Sequence, residues 1–470
     1  MSDWSRAAIQ NIPHLSDDER ATLRELLDQL DAKRPRNILR ASWYDGKHAV
    51  KDLGISTPPS MQQVAYVLGW PAKAVDLLNR RCRLEGFTSA DTDLDRLGLA
   101  SVLDDNRFLT ESSQGQSSGL VHAVSWLVTT RGNADAGEPP VVLMFRDALD
   151  ATALWSKRTR RIVAFLSVLE RGENDREPVD MVMYLPGLTW TITRSSATGA
   201  WSAESAQTSL DYVPVEPIVF RPRLGRPFGE SRISRPVMSL TQQAIRSMRR
   251  AETNAEFYAL VQRYVEGADL EMFKDASGNP IPRWKILLGG VWALPMTQNE
   301  DGSATKPTMG QFQQASQQPH MDQLRMLAEQ FAGETSVPTT SLGMTTAANP
   351  ASADAYLASR EDLITEAEGA TDEWGGAYAR SMQTALRYLG EANPPRIAAT
   401  WRSPRFESRA AAADAGQKSL AAVPWLAETE VGLELLGLDR PQIDRAMAEK
   451  RRAQARATLA SLVGSDAKSG

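Results

Sequence analysis

The sequence is poor in the residues that form disulfides and metal sites. Cys82 is the only cysteine among 470 residues, so a disulfide within the chain is excluded, and we expect the protein to be made in a reducing compartment. None of the four histidines stands at a metal-binding spacing from a second ligand; they are His14, His48, His122 and His320. The sequence predicts no cofactor and no catalytic metal.

The short motifs of the common enzyme classes are also missing. There is no GxxxxGK[ST] phosphate loop, no GxGxxG turn and no GxSxG nucleophile turn. No apolar run approaches the ~20 residues of a membrane helix, and the longest, "ILLGGVWAL" at 286–294, is interrupted by glycines. The beginning "MSDWSRAAIQ" lacks the pattern of a signal peptide. We therefore expect no enzymatic activity and no contact with a membrane.

Composition is that of a folded protein, with 42% hydrophobic and 24% charged residues and a net charge of −5.

Three helices are predicted in the first part of the chain. Residues 16–34 have four leucines on one face and a capping box formed by Ser16 and Glu19. Further helical patterns cover Met61–Arg83, with a break near Gly69, and Thr92–Leu109.

The pattern changes at about Gly119. Short segments rich in valine, isoleucine, threonine and aromatics, separated by turn residues, predict a mainly β unit over 119–220. One or two helices are expected inside it, one of them at "DALDATALWSKRTRR", residues 147–161.

Residues 221–250 contain eight arginines and one acidic residue, Glu230. A contact with nucleic acid is one interpretation. The arginines are alternatively expected to pair with acidic residues of neighbouring subunits, or to lie on an ordinary solvated surface. No known DNA-binding fold surrounds them, so the subunit interpretation is favoured.

A long helix is predicted from Pro236, capped by Ser234 or Arg235, with an apolar stripe about seven turns long. A stripe this long and narrow usually packs against another long helix. The second helix is predicted at Pro319–Phe331. A small β domain is inserted between the two, which are expected to run antiparallel.

Thr335–Ala353 contains no charged residue. It leads into a further long helix, predicted to start near Asn349 and Pro350 and to reach about Leu389, with bends at its internal glycines. Residues 395–470 are predicted to form a separate helical unit.

Five segments carry a resemblance to a known family. In chain order they are "WYDGKHAV" near Trp43, "AVDLLNRRCRLEGF" (Ala74–Phe87), Phe228–Asp269, Gly310–Pro338 and "NPASADAYLASREDLITEAE" (Asn349–Glu368). None encodes a reaction, but in this order the chain resembles the portal proteins of long-tailed phages, of the type common in viruses of actinobacteria. It departs from the pattern at Cys82 and around "GENDRE", residues 172–177.

The resemblance implies an α+β, mainly helical portal fold, assembled as a dodecameric ring. It implies these regions: a wing at 1–235 (helical 1–118, β-rich 119–220), a first stem helix at 236–262, a clip at 263–316, a second stem helix at 317–333, a tunnel loop at 334–350, a long kinked helix at 351–392 and a crown at 393–470.

The resemblance also implies roles for particular residues. The tunnel loop would place Thr339, Thr340, Ser341, Met344 and Thr345 against DNA, the alternative being a surface linker. At the stem, Arg246, Arg249 and Arg250 would contact neighbouring subunits, or phosphates in the channel.

Trp284 and Trp292 of the clip would dock a partner, unless they are simply core residues. The basic run of the crown would contact packaged DNA, unless it is a solvated helix face; it comprises Lys450, Arg451, Arg452 and Arg456.

The implied function is a channel for packaging and ejecting double-stranded DNA at one vertex of the phage head. The implied partners are further copies of the chain, double-stranded DNA without sequence preference, the terminase large subunit, a head–tail adaptor, and the major capsid and scaffolding proteins. The resemblance also implies that the protein assembles in the host cytoplasm and that the finished ring is part of the virion. The alternatives are another head–tail connector or minor head protein, and a DNA-processing enzyme whose catalytic carboxylates are dispersed in sequence.

Overall fold

The structure is a computed structural model. It describes residues 9–50, 66–172, 177–258 except 197, 263–266, 279, 297–298, 304–306, 308–311, 313, 316–344, 360–405 and 409–466. Over these residues the protein is a mixed α and β fold, as the sequence predicts.

The first helix, α1, spans Asp17–Tyr44 and confirms the capping box. The hydroxyl of Ser16 accepts from the Glu19 N–H at 3.3 Å, and the Glu19 carboxylate accepts from the Ser16 N–H at 2.7 Å. The helix continues through Pro35, about ten residues beyond its predicted end. Tertiary contact stabilises this extension, since Asn37 is buried and its amide donates to the Ala148 carbonyl at 2.8 Å.

The elements that follow differ from the sequence prediction in three places. The single helix predicted at Thr92–Leu109 is wrong, because a 3-10 turn spans Leu94–Leu97, a short helix spans Leu99–Asp105 and a separate helix begins at Phe108. The helical pattern predicted from Met61 yields a helix only at Trp70–Asn79, residues 66–69 being non-helical and 61–65 lying outside the described residues. The predicted strand from Gly119 begins only at Val124, because the preceding four residues complete a helix. In order these elements are α2 (Trp70–Asn79), β1 (Leu84–Thr88), α3 (Leu99–Asp105) and α4 (Phe108–His122).

Eight strands then form two antiparallel sheets. They are β2 (Val124–Arg131), β3 (Val141–Arg146), β4 (Ala151–Ser156), β5 (Arg161–Arg171), β6 (Pro178–Leu185), β7 (Leu188–Arg194), β8 (Trp201–Gln207) and β9 (Val215–Val219). One sheet has the order β3-β2-β9 and the other runs β4-β5-β6-β7-β8.

The helix predicted at 147–161 is wrong. Its residues form β4 and the start of β5, paired in antiparallel register with Ala153 opposite Phe165. The small residues Ala151 and Ala153 are fully buried in the sheet, so pairing and burial override their helix propensity. The sequence also failed to predict β8, an edge strand whose side chains are mostly polar and exposed.

Two apolar layers enclose the five-stranded sheet. The leucine face of α1 covers one side, where Leu23, Leu26, Leu27 and Leu30 pack with residues such as Leu166 and Met183. The three-stranded sheet covers the other side through Trp126 and Val128, which pack with Phe165 and Tyr184.

After β9 the chain enters α5 (Arg235–Tyr258), then short strands β10 (Arg263–Glu266), β11 (Thr297–Gln298), β12 (Ala304–Thr305) and β13 (Thr308–Gln311), and then α6 (Gln318–Thr335). The β10 strand pairs antiparallel with β13, and β11 with β12. The predicted sequence of helix, β insertion and helix is thus present in the described residues.

The next helix, α7 (Glu361–Tyr388), runs uninterrupted through its three internal glycines, Gly369, Gly375 and Gly376. Its predicted start near Pro350 lies outside the described residues. The helix is central to the largest core, in which the buried side chains of Trp374 and Tyr378 lie beside α4 and the three-stranded sheet.

Strand β14 (Ala398–Trp401) pairs antiparallel with β1, and Trp401 stacks on Tyr378 with ring centroids 5.8 Å apart. The prediction of an entirely helical segment from 395 is therefore wrong at this strand. Three helices follow: α8 (Arg409–Ala422), α9 (Glu430–Leu435) and α10 (Arg440–Asp466).

Candidate subunit and nucleic-acid interfaces

Helices α5 and α6 lie side by side and run in opposite directions. Near the beginning of α5, Ser234 donates to the Glu334 carboxylate at the end of α6, at 3.3 Å. Further along, Ser247 donates to Gln323 at 2.6 Å. As residue numbers rise along α5 they fall along α6, which confirms the expected antiparallel pair. Its far end continues into the antiparallel β10–β13 ribbon.

The start of α5 follows from its sequence. The Ser234 hydroxyl accepts from the Val237 N–H at 3.3 Å, so Ser234, not Arg235, caps the helix. Pro236 occupies the first turn, where no N–H partner is needed. Apolar residues of both helices are buried in the same large core: Val237, Ala244, Ile245, Leu327, Ala328 and Phe331.

The three arginines singled out on α5 have different surroundings. Arg249 is only 6% exposed and its guanidinium lies 5.4 Å from the centre of the Tyr66 ring, so it interacts within its own chain. Arg246 is half-buried and Arg250 is exposed. Of these three arginines, only Arg246 and Arg250 have side chains that are accessible at the surface of a single chain.

The uncharged segment after α6 is anchored at both ends of its described part. Val337 and Leu342 are buried, and a 3-10 turn at Thr339–Leu342 lies between these anchors. Lys73 of α2 donates to the Ser341 carbonyl.

The singled-out side chains of this segment have graded exposure. Thr340 is exposed, Thr339 and Ser341 are half-buried, and Met344 packs against the large core. Thr345 lies outside the described residues.

The other two predicted sites are only partly described. Trp284 and Trp292 lie outside the described residues. On α10, Lys450 donates to the Glu428 carbonyl at 2.7 Å and lies near the Glu428 carboxylate. The other three residues of the predicted basic run, Arg451, Arg452 and Arg456, are exposed.

One arginine of the arginine-rich stretch is buried at the centre of the molecule. The Arg232 side chain is 3% exposed and forms an ion pair with the Glu366 carboxylate of α7, at 2.6 Å. It also donates to the carbonyls of Ala74, in α2, and Thr335, at the end of α6. Burial lowers the pKa of Arg232, and the carboxylate of Glu366 opposes that shift.

Arg232 therefore joins α2, α6 and α7. A second arginine, Arg221, also contacts the Glu366 carboxylate. The sequence had no signal for these contacts, because Glu366 is more than a hundred residues away. Arg221 and Arg232 are thus engaged within the chain.

Two further arginines of the stretch flank a tight turn. Arg223 and Arg226 exchange backbone hydrogen bonds of 3.1 and 2.7 Å. Both side chains approach the same carboxylate, Glu230, at 2.7 and 3.7 Å. Leu224 at the tip of the turn is 94% exposed.

A polar cavity of about 470 Å³ lies between α1 and α4, lined by residues that include Asp45, Glu111 and His122. Burial, followed by the nearby Arg40 charge, lowers the pKa of His122 to about 4, so its imidazole is neutral at pH 7. Within the described ranges, no three or more His, Cys, Asp or Glu residues are grouped as they would be to hold a metal. The same ranges contain no helix long and apolar enough to span a membrane.

Comparison with known proteins gives consistent matches. The portal protein of Mycobacterium phage D29 is 28% identical over 387 residues, covering 80% of this chain and 77% of the relative. That of Mycobacterium phage L5 is 28% identical over 386 residues with the same coverage.

Solved structures match more weakly. The neck of a native gene transfer agent particle, computed with C12 symmetry, has a TM-score of 0.40 and 14% identity, covering 87% of this chain and 99% of that one. A chain from the virion of the native gene transfer agent has a TM-score of 0.39 and 14% identity, covering 79% and 90%.

The family model described as phage portal protein, SPP1 Gp6-like, matches residues 23–455. The matched range begins inside α1 and ends inside α10, so it includes both sheets, the antiparallel helix pair and α7. The chain therefore belongs to the SPP1 Gp6-like family of phage portal proteins.

Proposed function

We propose that this portal protein assembles as a homododecameric ring at one vertex of the phage head. The ring forms the channel through which double-stranded DNA is packaged and ejected. The observation that supports this most directly is the antiparallel α5–α6 pair continuing into a β ribbon, in a chain of the portal family. Repeating one heterologous contact around a closed axis yields such a ring.

We also propose how the elements of the fold divide among the regions of the ring. We assign the two sheets and helices α1 to α4 to the wing, α5 and α6 to the stem, and the insertion at 263–316 to the clip. Because β14 pairs with β1, we include residues up to Trp401 in the wing and assign the crown to α8, α9 and α10.

The tunnel loop at 334–350, which is uncharged from Thr335 onward, is proposed to face DNA in the channel. Polar and thioether groups such as Thr340 and Met344 can touch the DNA backbone without forming ion pairs. Phosphate contacts from cations would hold DNA in place, whereas a channel must let it slide. The 3-10 turn anchored by Val337 and Leu342 supports this role by holding the loop in a defined position.

The proposal also assigns partner proteins to the clip and to the wing. The clip, with Trp284 and Trp292, is proposed to dock the terminase large subunit during packaging and a head–tail adaptor afterwards, since aromatics favour interfaces. The wing meets the major capsid and scaffolding proteins during assembly in the host cytoplasm, and the finished ring belongs to the virion. Portal protein families are structural, not enzymes, so the energy for DNA movement comes from the docked motor.

Electron microscopy of the purified full-length protein tests the proposal. We expect ring particles with a central hole, and native mass spectrometry is expected to give a mass of twelve chains. A protein that remains monomeric over a wide range of concentration and salt, with and without scaffolding protein, would contradict the ring.

The two accessible stem arginines give a second test. We expect Arg246→Glu and Arg250→Glu to abolish ring formation in size-exclusion chromatography, because each reversal places like charges at every repeated contact. Lys47→Glu is the matched control, since Lys47 is exposed in the wing and pairs only with Asp45. Rings that form normally but package DNA poorly would place these arginines in the channel. Unchanged assembly and packaging would refute both roles.

A further inference from the structure

Three segments far apart in sequence bring cations to one surface, and most of these cations have no ion pair among the described residues. The first is a face of α1 where Lys33, Arg36 and Arg40 follow at helical spacings of three and four residues. Among the described residues, none of the three forms an ion pair with a carboxylate. Arg40 instead lies near two other cations, Arg36 and Arg226, and burial together with these charges lowers the pKa of Arg40 to about 10.

The second segment is the turn at Arg223 and Arg226, whose proximity to Arg40 places it beside α1. One carboxylate, Glu230, serves both of its arginines, at 2.7 and 3.7 Å. The turn therefore retains net positive charge.

Phe228 connects the α1 face to a third segment. The ammonium of Lys33 lies 5.6 Å from the centre of the Phe228 ring, and Trp155 packs on the same ring with centroids 5.7 Å apart. Burial, followed by the Arg36 charge, lowers the pKa of Lys33 to about 8, as expected for a cation without a counter-ion. Trp155 is the penultimate residue of β4, two residues before Lys157, so the tip of the β4–β5 hairpin lies further along β4 from this contact.

The tip of that hairpin is the most basic short segment described, with four cations in five residues. Lys157, Arg158, Arg160 and Arg161 are all exposed, and within the described part of the chain none of them has an ion pair. The turn has a defined shape, because the Arg160 N–H donates to the Ser156 carbonyl at 2.8 Å. Arg160 adopts φ +53, a conformation that favours glycine or asparagine, so an arginine here is held at some energetic cost.

Together these segments form what we call the basic surface: Lys33, Arg36, Arg40, Lys157, Arg158, Arg160, Arg161, Arg223 and Arg226. Among the described residues, only two of these nine cations, Arg223 and Arg226, form an ion pair, both with Glu230, in a chain whose net charge is −5. Such a separation of charge creates a strong local positive potential.

We propose that the basic surface binds the phosphate backbone of double-stranded DNA outside the channel, without sequence preference. Seven of its nine cations are arginines, whose planar guanidinium suits phosphate oxygens. Duplex DNA carries one charge per about 1.7 Å along its axis. This extended row of charges fits cations that are spread over three elements better than the charges of a short acidic peptide do. The neighbouring aromatics Phe228 and Trp155 are half-buried against each other, so the surface lacks the free stacking platforms of single-strand binders.

A filter-binding assay with covalently closed circular duplex DNA tests this proposal. Closed circles cannot thread a closed ring, so this probe separates the basic surface from the channel, and failure of the ring proposal would not affect the result. The hairpin variant carries Lys157→Gln, Arg158→Gln, Arg160→Gln and Arg161→Gln. The matched control removes four exposed cations that each pair with a carboxylate away from the basic surface, with Arg96→Gln, Arg402→Gln, Arg405→Gln and Lys418→Gln.

We expect the hairpin variant to lose at least about tenfold in affinity at 50 mM salt. The slope of log affinity against log salt should fall by up to about 0.9 for each phosphate contact removed. The control variant is expected to lose less than about twofold in affinity. A second variant, Arg36→Gln with Arg226→Gln, removes charge from the other two elements, and we expect it to weaken binding as well.

Circular dichroism melting of each variant verifies that the fold is intact. Unchanged affinity of the hairpin variant, or equal losses in the hairpin and control variants, would overturn the proposal. So would tighter binding of a polyglutamate peptide than of duplex DNA at equal charge concentration, since that result would assign the surface to an acidic protein segment.

Discussion

Replacing Arg232 with alanine is expected to destabilise the unassembled protein by about 3–5 kcal/mol. The substitution removes the buried ion-pair partner of the Glu366 carboxylate, itself only 7% exposed, and leaves the more exposed Arg221 as its remaining partner among the described residues. It also removes the donors to the carbonyls of Ala74 and Thr335. A buried charge that loses its partner costs far more than an exposed one, because water no longer solvates it. Urea denaturation followed by tryptophan fluorescence measures the change.

Arg223→Ala is the matched control for this experiment, because it removes an arginine from the same stretch that pairs with Glu230 at the surface. Exposed pairs contribute at most about 1 kcal/mol, so the control should unfold close to wild type. The double variant Arg232→Met with Glu366→Gln should cost less than the two single changes together, since no unpaired charge remains buried. An Arg232→Ala cost no larger than that of Arg223→Ala would contradict the central role of this residue.

Gly229→Ala is expected to destabilise the protein by about 2–5 kcal/mol. Gly229 adopts φ +64, where an L residue pays about 1–2 kcal/mol. A Cβ at this position would also lie 2.2 Å from the Phe220 carbonyl oxygen, a backbone atom that cannot turn aside. Overpacking of this kind costs about 1–3 kcal/mol more. The shift in urea midpoint of the unassembled chain measures the sum.

Gly225→Ala provides the control four residues away. No atom lies within 4 Å of a Cβ built on Gly225, and its φ is not positive. We expect a change of less than about 0.5 kcal/mol there, as for surface substitutions in general. Equal stability of the two alanine variants would show that the turn after Phe220 is not held in this conformation.

Local sequence predicted those elements whose stabilising contacts lie close by in the chain. The Ser16 and Glu19 box, the Ser234 cap and the leucine face of α1 depend on residues a few positions apart, and the structure confirms each of them. The incorrect predictions concern elements whose secondary structure depends on contacts with residues far away in the sequence. The segment at 147–161 has helix-forming residues, but pairing with β5 and burial in the sheet make it a strand.

The arginine-rich stretch at 221–250 shows the same division. Sequence alone established that cations accumulate there in an acidic chain, and that a capped helix begins within the stretch. The partner of each arginine was decided by tertiary structure. Arg232 and Arg221 meet Glu366, Arg249 lies over Tyr66, and Arg223 and Arg226 share Glu230.

Sequence by itself determined the portal resemblance, the order of helix, β insertion and helix, and the uncharged segment between the stem and α7. Only the tertiary structure decided that cations of α1, of the β4–β5 hairpin and of the Arg223–Arg226 turn form one surface, joined through Phe228. The physical reason is the separation along the chain over which each kind of interaction acts. Capping and amphipathic periodicity act over a few residues along the chain, whereas the environment of a charge depends on which distant segments the fold brings beside it.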